Sequence, residues 1–276
     1  MGHTGEVGPV KDLKEFAAFW DNIIDRYIAG EFPLDAPLDA WFDSYKGIGE
    51  GAVDPQVMPE PYLGDLFAGE HKIVFMGLNP GAPRPTAQAR NGTYANEIRA
   101  LGSYTAWAAT WPYLREADIT DWGKNVFHDA RYRFMKDWYA DDNLEHRRMV
   151  NWELYPWHSK KIQGSRMRPP PKVVREFVWE PIASLGTTWI FAFGAPWYEQ
   201  LEHLGLRQLM HLGHGGEPYP TETKPKAYRQ VKVYEGPADS FVIAMSTASA
   251  AAPPKRREVE ILKTELASRG LPVPQP

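Results

Sequence analysis

The chain contains no cysteine, which excludes disulfides, thiolate zinc sites, iron–sulfur clusters and cysteine nucleophiles. It has no apolar run of membrane-spanning length and no signal-peptide core near Met1. Glu6 stands where a myristoylation signal beginning at Gly2 would want Ser or Thr, so lipidation is not expected either. A basic excess is also missing. The 31 Lys and Arg against 35 Asp and Glu give a net charge of −4, which argues against a general nucleic-acid coat protein but permits local basic surfaces. The expectation is a cytoplasmic monomer with no membrane partner. What the chain does have is length and aromatics: 276 residues can bury a full core, and most of the 11 tryptophans should serve it.

Read along the chain, residues 11–29 carry apolar side chains at helical spacing, with Leu13, Phe16, Trp20, Ile24 and Tyr27 on one face. Residues 30–61 are rich in Gly, Pro and Asp and read as irregular connection. Strands are expected at 72–76, 148–155, 189–193, 230–234 and 241–245. Helices are expected at 94–107, 125–139, 173–185 (bent at Pro181), 196–204 and 257–268. Strands alternating with helical stretches predict one α/β domain, a three-layer α/β/α sandwich around a largely parallel sheet of four or five strands. An N-terminal helical extension would occupy about 1–60, the core about 70–268, and a proline-rich loose tail would follow.

The segment Lys72–Gly81, KIVFMGLNPG, is a core-type strand running straight into Asn-Pro-Gly. Gly77 should begin the departure from regular pairing, and Pro80 and Gly81 must stop the strand. Asn79 is thereby placed at the carboxyl end of a central strand, where open α/β sheets hold their ligands. Taken alone, the tripeptide reads as a strand-ending turn. Gly-Leu-Asn-Pro-Gly also resembles the first motif of the uracil-DNA glycosylase superfamily, in its single-strand-selective and mismatch-specific branches. Asn151 in MVNWELYP falls where the former branch has its base-recognising Asn. The Trp189–Gly194 strand and turn is similar to the next element, and FVIAMSTAS lies where the last motif, His-Pro-Ser-Pro, is usual.

The resemblance implies a DNA glycosylase that needs no metal or organic cofactor. Gly77, Leu78, Pro80 and Gly81 would wall the site, and Asn79 would orient a water beneath the sugar carbon. Asn151 has its own physical case, because a side-chain amide offers both a donor and an acceptor to a pyrimidine edge. Ser246 takes the position of the usual His, followed by Thr247 and a run of small residues. Either another donor stabilises the leaving base, or the pocket is widened for a larger one. Tyr94, Trp107, Trp152 and Trp157 are the aromatics considered for stacking on a flipped base, and Glu97, Glu153 and His158 are possible helpers. Each has core or surface duty as the plainer reading.

Lys160, Lys161, Arg166, Arg168, Lys172 and Arg175 form a basic stretch with no carboxylate between Leu154 and Arg175, and Lys255 and Arg256 precede the final helix. They suit phosphates flanking an extruded nucleotide. His211 and His214 lack a carboxylate partner set, so no metal is assigned. The favoured substrate is a bulky modified pyrimidine, such as glucosylated hydroxymethylcytosine in phage DNA, removed as an antiphage defence. Uracil or mismatched thymine is the alternative base, and a noncatalytic nucleic-acid-binding relative is the alternative class.

Overall fold

The computed structural model describes residues 12–115, 125–219, 230–246 and 253–274. The first helix, α1 (Leu13–Ile28), is capped by Asp12, whose carboxylate accepts from Lys14 N and Glu15 N. Phe16, Trp20, Ile24 and Tyr27 of its apolar stripe are buried, as the spacing predicts, and Leu13 at its first turn is half-buried. The segment read as irregular holds a short helix, α2 (Leu38–Asp43), and a two-residue strand, β1 (Tyr62–Leu63), follows directly on its end.

Strand β2 (Ile73–Gly77) follows, then α3 (Pro85–Gln88), α4 (Thr93–Leu101), α5 (Tyr104–Ala109) and α6 (Val126–Tyr139). The stretch expected as one helix over 94–107 is two. Gly102 takes φ +88° at the end of α4, and the Ser103 hydroxyl caps α5 by accepting from Ala106 N. After β3 (Met149–Glu153), α7 (Pro171–Val174) and α8 (Glu180–Ser184) are joined by one π-helical stretch, Arg175–Trp179. That wider turn lets the chain pass Pro181, which has no N–H to offer. The remaining elements are β4 (Trp189–Phe193), α9 (Pro196–His203), β5 (Gln208–Leu212), β6 (Gln230–Glu235), β7 (Phe241–Ser246) and α10 (Arg256–Ser268).

The seven strands among the described residues form one sheet in the order β1-β3-β2-β4-β7-β6-β5. The expected four or five strands are an undercount, and the sheet is mixed. Parallel pairing is confined to β3, β2, β4 and β7; β1 pairs antiparallel with β3 at one edge, and at the other β6 pairs antiparallel with both β7 and β5. The parallel strands are near-continuous apolar runs because both their faces are covered, whereas β5 and β6 alternate buried with half-exposed positions. Gly77 does not leave the ladder: it is the last rung of β2, opposite Glu153.

Helices cover both faces of the parallel strands. On one face Phe134 of α6 meets Phe75, Phe191 and Phe193. On the other, Phe16 of α1 packs on Tyr62 and Trp152, and Trp20 meets Trp41. Successive residues of β3 therefore serve opposite layers. Trp152 faces α1, while Asn151 and Glu153 face α6 and meet its side chains. Beyond α10, Leu271 and Val273 rest against the core.

Candidate functional site

Asn79, Gly194 and Ser246 lie at or just past the carboxyl ends of β2, β4 and β7, whereas Asn151 sits inside β3, level with Phe75 and two residues short of the strand's end. The turn after β2 is stapled to the segment after β3. Leu154 N donates to Gly77 O at 3.1 Å, Tyr155 N to Leu78 O at 3.0 Å, and Ser159 N to Gly81 O at 3.2 Å. Asn79 completes the staple, donating from Nδ2 to Ser159 Oγ at 2.8 Å and accepting at Oδ1 from Gly81 N at 3.2 Å. Gly81 sits at φ +88°, a conformation glycine adopts without Cβ strain. Asn79 is buried, and both ends of its amide hold the turn.

Beside this turn lies a small cavity lined by Glu60, Tyr62, Leu63, Pro80, His128, Asn151 and Glu153. Its volume is about 10 Å³, room for one water and not for a pyrimidine. The polar groups around it are almost completely buried. Asn151 Nδ2 donates to His128 Nδ1 at 2.7 Å, and Asn151 Oδ1 has no partner. His128 stacks on Tyr113 with ring centroids 5.0 Å apart. Burial, reinforced by the Arg131 and Arg84 charges, holds the His128 pKa well below the usual histidine value of 6.5, so the ring is neutral at pH 7.

Glu153 faces Arg131 Nη1 at 3.4 Å, and its Oε2 has no partner. Burial raises the Glu153 carboxyl to about 7 despite that guanidinium, with Glu60 adding to the rise. Arg131 is itself fully buried, and desolvation lowers its pKa. Its guanidinium lies 4.1 Å from the Phe127 ring centroid. Gly77 makes room for the pair: a Cβ there would meet Glu153 Oε2 at 2.2 Å and Arg131 Nη2 at 2.6 Å.

Glu60 anchors the opposite wall, where its Oε1 accepts from Gln88 Nε2 at 2.7 Å and from the Tyr113 hydroxyl at 2.5 Å. His158 Nε2 lies 3.3 Å from the same oxygen, and its Nδ1 lies 3.2 Å from Gly81 O. This network ties the cavity wall back to the turn that holds Asn79.

The candidates from sequence fall into three groups. Asn151, Glu153 and Pro80 line the cavity, and His158 and Asn79 brace its wall and the adjoining turn. The aromatics considered for base stacking are packed elsewhere. Tyr94 lies in a cluster with Trp107 and Tyr113, Trp152 is under α1, and Trp157 stands edge-on to Trp41 and Phe42. Glu97 accepts from Trp107 Nε1 and pairs with Arg115. Ser246 ends β7, with its Oγ hydrogen-bonded at 3.0 Å to the Tyr198 hydroxyl, which itself donates to Gln230 O at 2.7 Å; Thr247 lies outside the described residues.

Lys160, Lys161, Arg166 and Arg168 are exposed in the loop after β3. Lys255 and Arg256 are exposed at the start of α10, but Arg256 pairs at 3.9 Å with Asp137. Asp137 lies about 13 Å along α6 from the cavity residue His128, at 1.5 Å rise per residue.

Sequence reasoning missed Glu60, Gln88, Tyr113, His128 and Arg131. A signal existed for two of them. His128 and Arg131 share one face of a helix whose other inward residues are Phe134, Met135 and Trp138, and polar side chains on an apolar face need buried partners.

Among the described residues, no group of three or more His, Asp or Glu is placed to hold a metal ion, and no helix is long and apolar enough to cross a membrane. No family model, curated protein or solved structure matches the chain.

Proposed function

We propose that the chain is a uracil-DNA-glycosylase-like enzyme that hydrolyses the N-glycosidic bond of a pyrimidine turned out of DNA, reading the base at the Asn151 cavity. The observation that carries this reading is the amide of Asn151. Its donor side is fixed by His128, and its acceptor is buried without a partner. A buried acceptor of that kind is costly unless something donates to it, and a pyrimidine imide or exocyclic amine would. Support also comes from the order of the motifs: Asn79, Gly194 and Ser246 fall at or just past the ends of three parallel strands, and Asn151 points from the neighbouring β3 into the same layer as α6.

In the reaction, water oxygen bonds to the sugar C1′ as the C1′–N bond breaks, and the departing base takes up a proton. Asn79 is an amide and cannot act as a general base at neutral pH. Its role is to position water with the lone pair of Oδ1 not used by Gly81. The usual leaving-group donor is absent, since Ser246 is engaged by Tyr198 and ends β7, two strands from β2. Glu153 takes that duty. With its pKa near 7, it holds a proton in much of the population at neutral pH and can share it with an oxygen gaining negative charge.

Entry of any base requires the cavity to open. A glucosylated cytosine requires the largest opening, and the small residues once read as making room for it, 247–252, lie outside the described residues. The test is free-base release, read by mass spectrometry under single-turnover conditions. The substrates are oligonucleotides with uracil, thymine mismatches or hydroxymethylcytosine, and phage DNA carrying the glucosylated base. Release from at least one, lost in Asn151→Ala, is the expected result.

Binding of DNA with no abasic product from any substrate would instead favour a noncatalytic nucleic-acid-binding relative. The specific observation on that side is the closed cavity together with the structural use of both ends of the Asn79 amide.

A further inference from the structure

Two loops beside the Asn79 turn are built into a single projection. The amide of Gln163 reaches into the loop at 47–51 and pairs with the backbone of Ile48 in both directions: Ile48 N donates to Oε1 at 3.0 Å, and Nε2 donates to Ile48 O at 3.1 Å. Lys161 N donates to Glu50 O at 2.9 Å, and Gln163 N donates to the Tyr45 hydroxyl at 3.2 Å. Gly51 is required by this clamp, because a Cβ there would lie 2.2 Å from Gln163 Cδ. The base of the projection is Ser159, which holds both Gly81 and Asn79. The projection is therefore fixed to the candidate site by a continuous hydrogen-bonded path.

What it displays is unusual for a solvated loop. Ile48 is 57% exposed and Ile162 is 37% exposed, two of the five large apolar side chains found exposed among the described residues. Around them stand Lys46, Lys160, Lys161 and Arg166, all exposed, while Glu50 is the one carboxylate within the two loops. Lys46 makes only a 3.8 Å pair with Asp43, both side chains more than two-thirds exposed, so its charge stays available. An apolar tip ringed by cations is poorly suited to a neutral protein groove. It suits a partner that offers stacked apolar faces between lines of negative charge.

We infer that Ile48 and Ile162 form a wedge that enters the base stack of DNA, with Lys46, Lys160, Lys161 and Arg166 on the flanking phosphates. The inference rests on the DNA reading given above and extends it, naming the element that parts the bases next to the cavity. Rigidity is part of the argument. A wedge transmits force only if it cannot fold back, and the Gln163 clamp removes that freedom. The wedge supplies apolar contact in place of the stacking lost at the extruded position, and the cations fix the register of the strand.

The test uses the full chain and duplex oligonucleotides with 2-aminopurine next to a uracil or hydroxymethylcytosine. Fluorescence rise reports unstacking, anisotropy reports binding, and free base is measured in the same samples. The wild type should raise the fluorescence. Ile48→Ala/Ile162→Ala should lose that rise and bind about tenfold more weakly, the scale of one lost stacking contact. Both side chains are exposed, so the double variant should fold as the wild type does, with an unchanged melting temperature as the control. Lys160→Ala/Lys161→Ala should instead lower the slope of log affinity against log salt by about 1 per lysine. A double isoleucine variant that binds and unstacks like the wild type overturns the wedge. Wild-type binding and unstacking without free base overturns the glycosylase reading and leaves the wedge standing.

Discussion

Asn151 donates a hydrogen bond to His128 Nδ1 at 2.7 Å, while the carbonyl oxygen of the same amide is buried without a partner. The bond fixes both residues. An amide N–H can only donate, so His128 Nδ1 is the accepting nitrogen and its proton sits on Nε2. Burial keeps the ring neutral, which protects that arrangement at physiological pH. A recognition amide is thus oriented by a histidine that does not itself need to change charge.

Asn151→Ala separates recognition from folding. It removes one hydrogen bond, at about 1 kcal/mol, and a buried acceptor that had no partner to lose. Thermal melting should fall by only a few degrees, while base release falls by about 100-fold or more, the scale of a lost substrate-reading contact. Equal release by the variant and the wild type would remove Asn151 from recognition.

Asn79 demands a comparison, because its amide is structurally occupied. Ser159→Ala deletes the acceptor of the 2.8 Å bond but leaves the Asn79 side chain in place. Asn79→Ala also loses the Gly81 N bond, and Ser159→Ala also loses the bond from Oγ to Lys161 O, so each variant should lose about 2 kcal/mol in urea unfolding, two hydrogen bonds' worth. Base release should survive in Ser159→Ala and disappear in Asn79→Ala. If both variants lose release together, Asn79 serves the turn and not the water.

Glu153 predicts a pH dependence of stability with a definite sign. Its ordinary pKa is 4.5, and in the fold it is raised to about 7. A carboxyl raised on folding contributes its stability below 4.5 and loses it as pH climbs through the folded value. His128 acts oppositely. Its pKa is depressed from 6.5, so its contribution is present above 6.5 and is lost as pH falls. Glu153→Gln removes the first effect and leaves the second. The melting temperature of the variant minus that of the wild type should therefore rise between about pH 5 and pH 8, whatever its starting value. A flat difference would show that the carboxyl is not raised.

Much of this arrangement could be read in the sequence, for a definable reason. Runs such as IVFMG and WIFAF are buried on both faces, so their composition alone announces a parallel strand. The turn at Asn79 announces itself through Pro80 and Gly81. Legibility ends where burial is partial or long-range. Strand β1 is two residues directly after a Gly- and Pro-rich stretch, and β5 opens on an exposed and a half-exposed position that blur its period. Glu60 lies in that same stretch, and nothing local says that Gln88, Tyr113 and His158 will converge on it. Trp157 and Tyr94 carry the chemistry of base stackers, yet packing partners far away in sequence claim their faces.

Gly77 provides the most direct test of the buried pair. An alanine methyl there would fall 2.2 Å from Glu153 Oε2 and 2.6 Å from Arg131 Nη2, and both side chains are too buried to swing clear. Gly77→Ala should therefore cost about 1–3 kcal/mol, as overpacking of a filled site does. The contact can be isolated by a double-mutant cycle with Glu153→Ala, run near pH 5, where the Glu153 carboxyl is largely protonated and its removal strips Arg131 of less charge compensation. Because the methyl and the carboxyl compete for one space, the double variant should be more stable than the sum of the single costs by about 1 kcal/mol. Strict additivity would mean that the methyl finds room elsewhere, and that Gly77 is not what lets Glu153 and Arg131 meet at the end of β2.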